Sequence, residues 1–328
     1  MTATEPSPFV STGVLPAPEQ VDAMLREAHA RFAPGAEGVV SGVYPALARV
    51  DPSLFGIAVA GVGGRVFTVG DADSPFPIMS VSKPFVFALA CEAIGAEEMR
   101  AKVGANATGM AFNSVAGIER TATGRTNPMV NAGAIATTSL VPGADKAARW
   151  RALHEGLSRF AGRTLPMNEE VLASARETNF RNRSIAWFLQ SAGAIWLDPD
   201  EAVDLYTMQC SLDVTARDLA IMGATLADGG VNPVTGARVV APLTCHYALA
   251  VMATAGLYET SGDWLYEIGL PGKSGIGGGI VTVSPGKGGL GTFAPPLDAA
   301  GNSVKGQQVA RFLSQRLGLD LFLSAPQS

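Results

Sequence analysis

Ser80-Val81-Ser82-Lys83-Pro84-Phe85-Val86-Phe87-Ala88-Leu89-Ala90-Cys91 is the stretch on which the reading of this chain turns. It joins a hydroxyl and an amine, three residues apart, to an apolar run long enough to be a buried helix. Residues at i and i+3 share a helix face, and proline is tolerated only in a first turn, so a helix is predicted to start here. An unprotonated lysine in that position can take the serine's proton, which makes a weak hydroxyl a nucleophile toward an acyl carbon. Ser284-Pro285-Gly286-Lys287 has the same spacing but spans a Pro-Gly turn, where that geometry does not apply. For Ser80 and Lys83, the residues alone leave a catalytic pair and an ordinary helix start both open.

Working outward, Ile57, Val59, Val66 and Val69 alternate around Gly63-Gly64 and predict a hairpin just before the Ser80 helix. Residues 18–32 carry Val21, Met24, Leu25 and Ala28 at helical spacing with charges between them, the pattern of a solvent-facing helix. Residues 104–135 are rich in Gly, Asn, Thr and Ala, and helical patterns then dominate from about 145 to 228, including Ala216 to Ala227. Beyond Gly256 the chain is expected to turn strand-like, with Gly279 to Val283 leading into a second hairpin at Pro285-Gly286. Asn302-Ser303 can cap a last amphipathic helix bearing Val304, Val309, Phe312, Leu313 and Leu317. Hairpins at both ends with helices between them predict an α+β fold. An antiparallel sheet would be flanked by N- and C-terminal helices and interrupted by an inserted all-helical lobe. With no internal repeat or low-complexity linker, residues 1–328 are expected to form a single domain. Its sheet lobe would span about 40–78 and 248–328, and its helical lobe about 79–247. A cleft between lobes is the natural place for a small-molecule site.

Composition excludes several classes of function. The chain has 328 residues, 47% of them hydrophobic and 16% charged, with a net charge of −5. That is no electrostatic footprint for nucleic acid or an anionic membrane. Met1 to Val10 is polar, without a basic run followed by an apolar one, so no secretion signal is read there. No apolar stretch reaches membrane-spanning length, and a cytoplasmic location is expected. Cys91, Cys210 and Cys245 are odd in number and sit among apolar neighbours, which favours buried free thiols over disulfides. His29, His154 and His246 make no metal-ligand spacing, so no metal is expected, and no cofactor. His29 and His154, in charged helix-like segments, read as surface residues.

The second informative stretch is Gly272-Lys273-Ser274-Gly275-Ile276-Gly277-Gly278-Gly279-Ile280, with five glycines in nine residues. Such a run is costly to order and marks either close approach of backbone to a neighbour or a sharp turn needing positive φ. Lys273 on a strand edge could set a cation near the nucleophile, and backbone N–H groups there could face a developing oxyanion.

Together, Ser-x-x-Lys early and Lys-Ser-Gly late resemble the serine-lysine acyl-transfer enzymes. The finer match is to the serine-dependent glutaminases, which share a β-lactamase-like fold. It is carried by Val43 to Ala48, Gly70-Asp71-Ala72-Asp73, Ser80 to Lys83, Asn127 to Ile135, Arg181-Asn182-Arg183, Tyr206 to Ser211, Gly256 to Gly262, the Lys-Ser-Gly run and Gly301-Asn302-Ser303. The resemblance implies hydrolysis of the side-chain amide of L-glutamine to glutamate and ammonia, and a homodimer or homotetramer. It also implies roles residue by residue. Ser80 would form a glutamyl ester, with Lys83 as its base, depressed in pKa by burial and by the nearby Lys273 cation. Tyr258 would relay a proton to the leaving ammonia, with Tyr44 close by. The backbone N–H groups of Ser80 and Ile276 would form the oxyanion hole; the family usually has Val at the latter position. Asn131, Asn182 and Tyr206 would hold the amino-acid head group. On base rates, an Asn is as readily a turn residue, Asn182 a solvated helix end, a Tyr a core aromatic and Lys273 a solvated charge beside a turn.

Two positions depart from the family pattern. A Glu is usual seven residues before the second Asn, against the substrate's α-amino group; here Ala175 stands in Ser174-Ala175-Arg176-Glu177, and Glu177 is on the wrong helix face. Losing a charged partner for an ammonium forfeits roughly 1.5–3 kcal/mol, about ten- to a hundredfold in affinity. Met79 replaces a common Gln. The readings left beside glutaminase are a related amidase with altered substrate, a penicillin-recognising serine hydrolase, and a catalytically silent binding protein on the same scaffold.

Overall fold

The computed structural model describes residues 15–323; Met1 to Val10, read above for an export signal, lie outside them. Seven strands run in chain order: β1 Gly56–Gly61, β2 Val66–Gly70, β3 Phe76–Pro77, β4 Asp213–Val214, β5 Gly272–Ser274, β6 Gly279–Ser284 and β7 Gly288–Phe293. Five of them make one antiparallel sheet in the order β2-β1-β7-β6-β5, so the strands from the two ends of the chain meet at the β1–β7 ladder. The two predicted hairpins are β1–β2 and β6–β7, with Ala60 opposite Val66 and Ser284 opposite Gly288. Ser284 and Lys287 belong to that second turn, and Lys287 Nζ donates to the Gly318 carbonyl.

Strand alternation splits the core in two. Ile57, Val59, Ile280 and Leu290 point outward and pack with Val21, Leu25 and Ala28 of the Pro18–Phe32 helix and with Val309 and Leu313 of the Val304–Arg316 helix. Ser303 caps the latter, its side chain accepting from the Gly306 N–H. The opposite face carries Ala58, Ala60, Val281, Val283 and Phe293 and joins the core of the helical lobe.

That inner face is built from small residues because a helix lies almost on the backbone. The Ala216–Ala227 helix packs against β7, β1 and β6. A Cβ added at Gly291 would come within 2.1 Å of the Ala216 carbonyl oxygen, and one at Gly289 within 2.3 Å of the Ala220 carbonyl oxygen. Thr215 and Asp218 close a capping box at the helix's start, and Arg163 of the helical lobe forks onto the Asp218 carboxylate. β4, just ahead of this helix, pairs with β3, and the Ile78 N–H donates to the Leu212 carbonyl at 2.8 Å. The segment before Ser80 is therefore pinned to the element that spans the sheet.

Three local expectations change. After Gly256 the chain first forms a 3₁₀ turn, Tyr258–Thr260, and a helix, Ser261–Ile268; the strand begins at Gly272. Trp264 and Ile268 are buried at helical spacing, a short signal next to the glycine run. His29 and His154 are half-buried, each with Nε2 against a backbone carbonyl, Phe55 and Leu165 respectively. The long helix after Ser80 begins at Lys83, and Met79–Ser82 forms a 3₁₀ turn before it. The three cysteines are buried and free, as their neighbours implied. No single helix among the described residues is long and apolar enough to cross a membrane.

The glycine face of β7 yields a stability prediction. Gly291→Ala forces the Ala216–Ala227 helix outward and lowers stability by about 1–3 kcal/mol. The urea midpoint followed by circular dichroism should fall, with little change in the slope.

Candidate active site

A cleft of about 190 Å³ opens between the sheet edge and the helical lobe, lined among others by Tyr44, Ser80, Asn131, Ala175, Asn182, Tyr206 and Ile276. Lys83, Tyr258 and Lys273 lie at its floor, buried to 1%, 6% and 0% exposure. All nine sequence-predicted residues thus gather in one place, from segments up to 232 positions apart in sequence, Tyr44 to Ile276.

Local backbone presents Ser80. Met79 adopts φ +48° and Tyr258 φ +57°, the left-handed region that non-glycine residues avoid at a cost of order 1–3 kcal/mol each. Because Met79–Ser82 is 3₁₀, Ser80 and Lys83 stack more directly than in an α-helix. The glycine run explains itself here. A Cβ at Gly275 would lie 3.3 Å from the Ser80 nitrogen and 3.1 Å from the Ile78 carbonyl oxygen, and one at Gly277 2.6 Å from the Pro77 carbonyl oxygen. Within the run only Gly278 has positive φ. Close approach to the Ser80 turn accounts for Gly275 and Gly277, positive φ for Gly278, and the rings of Trp264 and Phe76 for Gly272 and Gly279.

Lys83 Nζ donates to Asn131 Oδ1 at 2.8 Å and to the Met129 carbonyl at 3.2 Å; Ser80 is not among its hydrogen-bond partners. Burial pulls its amine down to about 7, against a smaller upward pull from the Cys210 thiol. A neutral amine has two N–H donors and one lone pair, so these two acceptors leave the lone pair free. Lys273 Nζ donates to the carbonyls of Gly256 and Ser274, both at 2.7 Å, and sits 4.2 Å from the centre of the Tyr258 ring. Burial, and then the charge of Lys83, hold Lys273 well below the usual lysine range. Burial is the chief cause for both amines, and each disfavours the other's charge.

Tyr258 O–H donates to the Ser274 carbonyl at 3.4 Å and its ring lies tilted against Phe112, centroids 4.5 Å apart. Burial pushes its phenol up to about 12, while the side-chain hydroxyls of Ser80 and Ser274 pull the other way. Asn131 Nδ2 donates to Asn182 Oδ1 at 2.8 Å, and Tyr206 O–H donates to Asn131 Oδ1 at 3.4 Å. Asn182 is thus buried in the first turn of the Phe180–Ser191 helix, and it is Arg181 and Arg183 beside it that reach solvent.

Sequence reasoning missed Asn179 and Cys210. Asn179 accepts from Tyr44 O–H at 3.3 Å and donates to Thr207 Oγ1 at 3.0 Å, linking two walls of the cleft. Its position three residues before Asn182 was the available signal. Cys210 lines the floor, and burial pushes its thiol up to about 11, so it stays protonated. A larger groove of about 640 Å³ lies by Arg100, Arg120 and Arg125. Those guanidiniums are engaged by Glu97 and by the Thr108 and Ala101 carbonyls, and no serine-lysine pair lines it.

A hydroxyl over a buried, near-neutral amine, faced by a phenol and a close-packed strand edge, can perform acyl transfer. The neutral amine is the competent form. Acylation of Ser80 by a reactive ester should therefore fall about tenfold per pH unit below about 7 and level off above it; stopped-flow pH profiles check this.

A family profile described as Glutaminase matches residues 38–322. Glutaminase 2 from Yersinia pestis is 68% identical, covering 97% of this chain and 94% of its own. A glutaminase from Mycobacterium ulcerans is 48% identical, covering 92% and 95%. Among solved structures, probable glutaminase ybaS superposes with a TM-score of 0.92 at 42% identity, covering 94% of this chain and 100% of that one.

Proposed function

The chain belongs to the glutaminase family and hydrolyses L-glutamine to L-glutamate and ammonia, and we propose that it does so through a glutamyl ester on Ser80. The observation that carries this mechanism is the meeting of Ser80, Lys83 and Tyr258 at the floor of one cleft whose walls hold Asn131, Asn182 and Tyr206.

In the proposed cycle, Ser80 Oγ attacks the side-chain amide carbon while neutral Lys83 takes the hydroxyl proton. The carbonyl oxygen becomes an oxyanion facing the backbone N–H groups of Ser80 and Ile276, where fixed donors are worth more than in water. Tyr258 passes a proton from the Lys83 side to the departing nitrogen, the C–N bond breaks, and ammonia leaves. Water then attacks the ester carbon, and its proton returns through the same groups to Ser80. Lys273 supports this by holding the Ser274 carbonyl and the Tyr258 ring in place. Asn131, bonded at once to Lys83 and Asn182, couples the base to the head-group side of the cleft.

The same reading includes action as one domain over residues 1–328, a cytoplasmic location and a homodimer or homotetramer. The family resemblance supports these; the net charge of −5 offers no basic footprint for nucleic acid or an anionic membrane.

A glutamine-like diazoketone should label Ser80, and peptide mapping by mass spectrometry reads the site; a label on any other residue rejects the ester. Ser80→Ala should lower ammonia release at least about 10³-fold. Asn182→Ala should raise KM about tenfold or more with a smaller change in kcat, as expected for a residue that holds the ground state and the transition state alike.

A further inference from the structure

The charge of the cleft is uneven. Among its lining residues no carboxylate occurs, and the one charged side chain is Arg181, whose Nε donates to the Asn113 carbonyl. Lys83 and Lys273 lie just beneath the floor. The nearby acids lie outside the lining, among them the exposed Glu259 beside Tyr258. Glu177 is exposed, Asp204 is held by Arg176 and Lys146 behind the wall, and Glu170 pairs with Arg49 in the adjoining groove. Every other polar lining group is neutral, and several are donors: the amides of Asn131, Asn179 and Asn182 and the phenols of Tyr44 and Tyr206.

Such a lining suits a carboxylate and neutral hydrogen-bonding groups. An ammonium gains no counter-charge from these residues, and the Arg181 guanidinium opposes it. Ala175, 1% exposed, contributes only a methyl group to the lining, which also includes Val43 and Thr178.

We propose that this cleft takes glutamine side-chain amides whose α-nitrogen is acylated and uncharged, as in an N-acylglutamine, and that Ala175 sets this preference. The inference rests on reading the cleft as the glutaminase site. The bond changes are those already described: the C–N bond of the terminal amide breaks, ammonia leaves, water supplies the new carboxyl oxygen, and the N-acyl group is untouched.

Ammonia release from L-glutamine and from N-acetyl-L-glutamine, measured for the wild type, Ala175→Glu and Ala175→Gln, tests it. The wild type should show a kcat/KM for the acetylated amide equal to or above that for L-glutamine. Ala175→Glu should move the ratio toward L-glutamine by about thirtyfold or more, chiefly through KM. Ala175→Gln adds the same bulk without charge and should lose the acetylated amide without gaining L-glutamine. A lower wild-type efficiency for the acetylated amide overturns the proposal, as does a ratio that Ala175→Glu leaves within about threefold, or a glutamine variant that equals the glutamate one. The wild-type ratio decides even if a variant fails to fold. Ser80→Ala separates the two readings: retained ammonia release from both amides rejects the site itself, whereas its loss leaves the specificity ratio to stand or fall alone.

Discussion

An amine that has lost access to water organises this protein. Lys83 is buried among helices, and its Nζ is satisfied by one amide oxygen and one backbone carbonyl. A buried charge without a counter-ion is unfavourable by several kcal/mol, so the group titrates low and sits near neutrality instead. The bond to Asn131 ties the Lys83–Ile94 helix to the Asn131–Ser139 helix, the bond to Met129 holds the segment just ahead of it, and Asn131 carries the tie on to Asn182 in the Phe180–Ser191 helix. Losing any member leaves buried polar groups unpaired, which is what makes such a network stiff.

The helical lobe must then meet the sheet at a fixed height. Glycines and alanines on the inner face of β1 and β7 let the Ala216–Ala227 helix approach to backbone contact, and the β3–β4 ladder passes that position to the turn holding Ser80. The strand edge at Gly275 to Gly277 closes on the same turn from the other side. Met79 and Tyr258 are held in left-handed backbone by this double clamp. Strain of this kind persists only where the surroundings over-determine it, and here it stands on both sides of the nucleophile.

Much of the fold was legible because it depends on local periodicity. Two hairpins, both terminal helices and the helical block each carry a repeat of 2 or 3.6 residues. The Ser261–Ile268 helix was hidden because eight residues hold few periods and a glycine run follows directly. The candidate residues were legible through the ordered motifs that match the family, since Asn131, Asn182 and three tyrosines carry no local mark of function. Asn179 escaped because its partners, Tyr44 and Thr207, are 135 and 28 positions away.

What the sequence alone determined is the chemistry at hand: a serine and a lysine one turn apart, glycines at a strand edge, and an alanine at 175. Tertiary structure decided the electrostatics. That Lys83 and Lys273 are both depressed by burial and that no carboxylate lines the cleft are consequences of what packs around each group. Desolvation and Coulomb interactions depend on distances in space, and the order of residues does not contain those distances.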